Sequence, residues 1–299
     1  MFSGFVFLLP AVICITGTAL FSRMGMARGA TSRGLALALF TTSTAIGWVG
    51  ATLRGLLFAP IVPAVACYGV LAGVCGAAAV VLFNEALERG HFAYSNAIYR
   101  CSFIIPIVFC VAAGSLVPDW HTVAALVGVI VGVILMSKAG SERECGARPS
   151  SSNKFFDRQW MLLIVAAFLA SGGPRVAQMR VAALQGDSEV YLRVSFLAGT
   201  IVLGAYFWAT RRRVSSSRDA RSAEWRWGSL AAVTSFSGVA TTLQALTTLP
   251  PQIVFPVSLC TPIMLGLLLG LFVFCERIRP AGWLGIGVTL CGLTWLAIQ

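Results

Sequence analysis

Apolar residues run along this chain in blocks long enough to cross a bilayer, with short polar breaks between them. A helix needs about 20 residues to span the hydrocarbon core. Ten stretches approach that length: 2–21, 34–53, 62–84, 92–114, 120–138, 159–180, 189–209, 227–248, 252–275 and 280–298. Two polar breaks are longer than the others. Residues 139–158 are rich in Ser and charge and divide the chain in two, and 211–226 carry an Arg cluster. The halves share landmarks in a nearly constant register: Arg23 with Arg180, Ala86-Leu87 with Ala245-Leu246, and Asp119 with Glu276, each pair 157 to 159 residues apart. The pattern predicts an all-α polytopic membrane protein of ten transmembrane helices. They form two five-helix repeats, 1–138 and 159–299, joined by a cytoplasmic linker at 139–158. Half-length repeats of this kind mark secondary transporters, whose sites lie where the halves meet.

Composition supports the same class. Of 299 residues, 58% are hydrophobic and 11% charged, against about 25% charged in a soluble domain, and mean hydropathy is +0.84. Too little polar surface remains to coat a water-exposed globule. The net charge of +11 suggests nucleic acid only until its carriers are located. They sit in short segments between apolar runs, where basic residues set topology. No basic patch interleaved with aromatics lies in a polar domain, which excludes nucleic-acid binding.

Loops after odd-numbered runs hold most of the Lys and Arg, including Arg23, Arg28, Arg33, Arg89, Lys138, Arg143 and Arg211 to Arg213. Loops after even-numbered runs hold Arg54, flanked by Arg180 and Arg193. The positive-inside rule makes the odd loops cytoplasmic and both termini external. Five helices per repeat then require the second half to be inserted upside down, which is an inverted repeat. The expected location is a bacterial cytoplasmic (inner) membrane. The first run has no basic residue before it and aligns with Gln159–Arg180 in the repeat, so it is expected to be a retained helix rather than a cleaved leader.

Eight of the nine cysteines lie within or at the ends of apolar runs, only Cys145 sits in a polar loop, and no CxxC occurs. They read as small apolar fillers, neither a disulfide framework nor a metal site. Gly69/Gly73, Gly128/Gly132 and Gly266/Gly270 have the spacing that lets helices approach closely. Pro10, Pro106, Pro174, Pro256 and Pro262 fall inside apolar runs, where each either opens its helix or is a tolerated kink. Trp120, Trp160, Trp225, Trp227 and Trp283 stand at run ends and read as interfacial belts, with Trp48 and Tyr206 in the same role.

The stretch Ala86-Leu87-Glu88-Arg89-Gly90, followed by a helix, Asp119 and Gly128, resembles the EamA type of the drug/metabolite transporter superfamily. The second copy is closer, with Ala245-Leu246, Pro262, Glu276, Gly285 and Gly292. The first copy departs from the pattern: Phe103 stands where a Pro is expected, with Pro106 three residues later, and Asp119 replaces Glu. The resemblance covers essentially the whole chain through short, degenerate motifs. It implies a metabolite transporter whose third, fourth, eighth and ninth helices line a central cavity. That adds Asn84 and Ser258 to the candidate binding residues.

Arg100 lies about eight residues into the fourth run, roughly 12 Å along a helix. A charge at that depth costs several kcal/mol unless it is paired or faces water. Asn96, Tyr99, Arg100 and Phe103 share one helix face. Arg100 therefore either receives a substrate carboxylate or phosphate, or snorkels to the interface, or pairs internally with Glu85. Arg175 and Gln178, with Ser171, form a second group on a run weakened by Gly172, Gly173 and Pro174; the alternative is that Arg175 reaches a headgroup. Ser237, Thr241, Gln244 and Thr248 make a polar stripe on the eighth run, which either lines the path or bonds neighbouring helices.

No acidic residue falls in the middle of any apolar run, and Glu85, Asp119 and Glu276 stand at run ends. Two buried arginines without a buried acid point to a solute with an anionic group, such as an amino acid or related carboxylate. A coupling proton or sodium ion and the lipid bilayer complete the expected partners, and no cofactor or metal is implied. A membrane enzyme acting on lipid-linked substrates would need a nucleophile, acid/base pair or metal cluster. HExxH, GxSxG and paired carboxylates within one apolar run are missing from the sequence. A non-transporting scaffold is the third reading, and predicts no central cavity.

Overall fold

The computed structural model describes residues 2–56, 61–89, 92–112, 158–210, 218–249, 251–273 and 280–298, with isolated positions between 120 and 135. Among them every element is helical. The first half contains α1 (Phe2–Ala27), α2 (Ser32–Leu53), α3 (Pro63–Arg89), α4 (Phe92–Arg100) and α5 (Ile104–Ala112). The second contains α6 (Arg158–Ala183), α7 (Ser188–Thr210), α8 (Arg218–Leu246), α9 (Pro251–Phe272) and α10 (Pro280–Ile298). Most of the expected fifth span at 120–138, the linker up to 157, Asp119, Cys145, Arg211 to Arg213 and Glu276 lie outside the described residues.

Among the described residues five helices are long and apolar enough to cross a membrane: Val6–Ala27, Ser32–Leu53, Pro63–Arg89, Arg158–Ala183 and Ser188–Ala209. α8, although 29 residues long, is outside this set. Its polar stripe dilutes its hydropathy, and its helix begins at Arg218, inside the segment the sequence assigned to a polar break. Burial is inverted relative to a soluble protein. Asn84, Asn96, Ser43, Thr242, Arg100 and Arg193 are buried, while Leu9, Ile13, Leu162, Leu169, Ile201 and Trp208 are exposed. Water would reverse that arrangement; hydrocarbon favours it.

The most extensive packing joins α1 to α8 and α3 to α6, followed by α3 to α7 and α2 to α8. In the 157–159 register α1 corresponds to α6 and α3 to α8, so the first two contacts are the same contact viewed from each half. Close approach of α3 and α7 depends on Gly69 and Gly73. A Cβ on Gly73 would run into the Ser195 carbonyl oxygen and Ala198, and one on Gly69 would lie 3.0 Å from Val194 Cβ.

The fourth apolar run is two helices rather than one. A 3-10 turn at Cys101–Phe103 separates α4 from α5. Pro106 accounts for the break, since it has no N–H for the Ser102 carbonyl four residues back and its ring crowds that carbonyl. α6, by contrast, runs unbroken through Pro174, although the sequence marked it as a weak point. Its glycines serve packing instead: Gly173 sits against Cys75 and leaves room for a Cβ only 2.8 Å from that residue's Cβ, while Gly172 abuts Ile105. Neighbours thus hold the helix where its own ladder lacks a donor. Trp160 is likewise not an interfacial anchor: it is buried, and its Nε1 donates to Ser95 Oγ at 3.0 Å. Trp120, Trp225 and Trp283 are exposed as expected.

The α1–α2 turn is held from two sides. Thr31 donates its backbone N–H and its hydroxyl to Glu224 of α8, at 3.2 and 2.6 Å. Ser32 N–H donates to Glu88 at 3.0 Å, and Arg33 pairs with Glu85 at 3.0 Å. At the opposite ends of α2 and α7, Arg54 pairs with Glu189.

Candidate functional site

A cavity of about 130 Å³ lies where α1, α2, α3 and α4 of the first half meet α6, α7 and α8 of the second. Arg100 enters it from the carbonyl end of α4, just before the 3-10 turn. The side chain is 6% exposed. Its Nη2 donates to the Ile15 carbonyl at 2.8 Å and its Nε to Asn96 Oδ1 at 3.3 Å. Both partners are neutral. Glu85, the internal partner considered for it, is committed to Arg33. The Arg100 guanidinium also lies 5.6 Å from the centre of the Tyr99 ring, which stacks on Phe83 at 4.4 Å.

Arg175 lines the same cavity from α6. It has no hydrogen bond or ion pair among the described residues, and its planar fork carries five donors. Among the described residues, no Asp or Glu lines the cavity. Two guanidinium groups therefore share one small space with no neutralising carboxylate among the described residues. Beside them stand Asn84 and Gln178, 1% and 2% exposed, whose Oδ1 and Oε1 have no hydrogen-bond partner among the described residues. The other end of Asn84 is held, its Nδ2 donating to the Ser32 carbonyl at 3.3 Å. A buried amide oxygen left unpaired costs about 1–3 kcal/mol, and a donor on a bound solute removes that cost. The arrangement can therefore receive an anionic group at the arginines and a hydrogen-bond donor at the amides.

Five residues singled out from sequence converge here: Asn84, Tyr99, Arg100, Arg175 and Gln178. Asn96 stands behind the cavity, its Nδ2 donating to the Pro262 carbonyl at 3.2 Å over Gly266 of α9. It positions Arg100 rather than facing the space. Ser258 is buried on α9 with its hydroxyl on the Phe255 carbonyl at 3.3 Å, away from the lining. Ser171 is also turned to its own helix, donating to the Phe168 carbonyl at 3.0 Å. Thr241 and Gln244 line a different cavity, of about 370 Å³, with Arg54, Glu189 and Arg193. Sequence reasoning missed Thr18, Ser22, Tyr191 and Ser195 in the first cavity. The signal was available, since 18/22 and 191/195 are polar pairs at i, i+4 spacing in apolar runs.

Polar groups turned inward around a cation-lined space, and apolar side chains turned outward, are the arrangement of a polytopic membrane protein with an internal polar cavity. Residues 158–298 match the EamA-like transporter family. The match spans α6 to α10 and is to the family, of the drug/metabolite transporter superfamily, that the sequence landmarks resemble; that family suggests a membrane transporter. A solved structure described only as "Crystal structure of protein" aligns with TM-score 0.67 at 14% identity, covering 99% of this chain and 96% of that one. At that identity the likeness is one of fold. No curated protein matches the sequence.

Proposed function

We propose that this protein is a secondary-active transporter that moves a small organic solute with an anionic group, an amino acid or related carboxylate, by alternating access. The two five-helix repeats, 1–138 and 159–299, are inverted relative to each other and rock about the central cavity, with both termini outside a bacterial cytoplasmic membrane. The observation that carries the reading is the pair Arg100 and Arg175 on one cavity whose described lining holds no acidic residue. A buried cation without a counter-ion is costly, and a substrate carboxylate or phosphate is the group that offsets it. The unpaired Asn84 and Gln178 oxygens favour a solute that also carries an N–H or ammonium donor. A bound solute touching residues of both halves stabilises the state in which they close on it.

The test is uptake of a panel of labelled amino acids and small carboxylates into liposomes holding wild-type protein or Arg100→Ala. Protein-dependent movement of an anionic solute, lost in the variant, is the expected result. If no solute moves in a protein-dependent manner the transporter reading fails; if an anionic solute moves equally in both, the site assignment fails.

A further inference from the structure

The 370 Å³ cavity holds a second arginine site that the central cavity does not account for. Arg193 lines it from α7 and is 6% exposed. Its Nη1 donates to the Leu56 carbonyl at 3.2 Å and its Nε reaches the Glu189 carbonyl at 3.4 Å. Its Nη2 has no hydrogen-bond partner among the described residues. Glu189, the acid in this lining, is paired with Arg54. Gln244 is exposed and Thr241 half-buried on the facing wall of α8.

The two cavities share α7 and α8, and an aromatic contact joins their linings. Phe196 of α7 lines the central cavity and Phe236 of α8 lines the other. Their ring centres are 5.6 Å apart, and Phe40 of the central lining continues the row at 5.7 Å from Phe196.

We infer that the larger cavity is a second binding site for the same small organic anions, in series with the central one, with Arg193 as its anion receptor and Phe196–Phe236 as the partition. This rests on the central cavity being the transport site. The site sits among the α1 start, the α2 end and the α7 start, at the face where solute first meets or last leaves the protein. Two backbone carbonyls orient the Arg193 fork without supplying a counter-charge, which leaves that role to an incoming carboxylate.

Fluoroacetate is a suitable probe, followed by ¹⁹F NMR on the full chain in lipid nanodiscs. Two bound populations are expected. Arg193→Gln removes one, and Arg100→Ala removes the other. Gln244→Glu places a negative charge on the exposed wall without touching a buried group, and should weaken the Arg193-sensitive population at least tenfold; it reads the site even if Arg193→Gln does not fold. The proposal is overturned if neither Arg193→Gln nor Gln244→Glu reduces any bound population. Loss in those two variants together with no effect of Arg100→Ala upholds the second site and sinks the central assignment instead.

Discussion

Arg100 and Arg175 share a cavity but are held differently, and that difference separates binding from stability. Arg100 ties α4 to α1 through the Ile15 carbonyl and to its own helix through Asn96. Arg175 makes no such bond among the described residues. Arg175→Ala should therefore lower transport by about ten- to hundredfold, the equivalent of roughly 1.5–3 kcal/mol for a lost charged hydrogen bond, while leaving thermal unfolding in detergent nearly unchanged. Arg100→Ala should lower both. Arg100→Lys should retain part of the binding and little of the specificity, since an ammonium lacks the planar fork; a broader solute panel in the uptake assay is the measurement. These positions were legible because charge in an apolar run is rare and expensive. Their partners were not: nothing in residue order places Ile15 at Arg100 or turns Glu85 toward Arg33, since those contacts join distant segments.

Helix breaks and close contacts act at the next scale. Pro106 ends the α4–α5 continuity and so sets the direction from which Arg100 enters the cavity. Pro106→Ala returns an N–H to the Ser102 carbonyl, removes a residue about 3 kcal/mol less favourable than Ala in a helix, and allows the two helices to fuse. The expected outcome is equal or higher thermal stability with reduced uptake, a combination that a merely destabilising substitution does not give. Gly73→Val should do the opposite. It drives a side chain into the α7 backbone at Ser195, at a cost of about 1–3 kcal/mol, read as a lower unfolding temperature. Both prolines 106 and 174 looked alike in the sequence, yet only one breaks its helix. Gly172 and Gly173 bring α6 against Ile105 and Cys75, and that packing holds the ladder together at Pro174.

The whole molecule is organised by contacts between halves: α1 on α8, α3 on α6, Thr31 on Glu224 at one end and Arg54 on Glu189 at the other. A rocking motion that opens one end must release the links there. Glu224→Gln keeps the size of the group but weakens the charged acceptor of Thr31, so it should shift the population toward opening at that end. Higher accessibility of a cysteine placed at Ser22, which lines the central cavity, to a reagent supplied from the cytoplasmic side is the measurement. Orientation has its own test. With other cysteines replaced, an impermeant maleimide added to intact cells should label Gln299→Cys and spare Cys145; labelling of Cys145 in intact cells defeats the termini-outside topology.

Composition and apolar run length determined the membrane class, because hydrocarbon leaves no alternative for such a chain and demands about 20 residues per crossing. The half-length register and its short landmarks pointed to the transporter family, and rare intramembrane charges marked Arg100 and Arg175. Which polar residues share one space was decided only by tertiary structure. Periodicity assigns a residue to a face of its own helix but not to a neighbour, and so Thr241 and Gln244 fell to a second cavity beside Arg193 while Asn96 and Ser258 turned to packing. Crossing depth and helix rotation are set by small-residue contacts such as Gly73 on Ser195, which have meaning only once the halves are packed together.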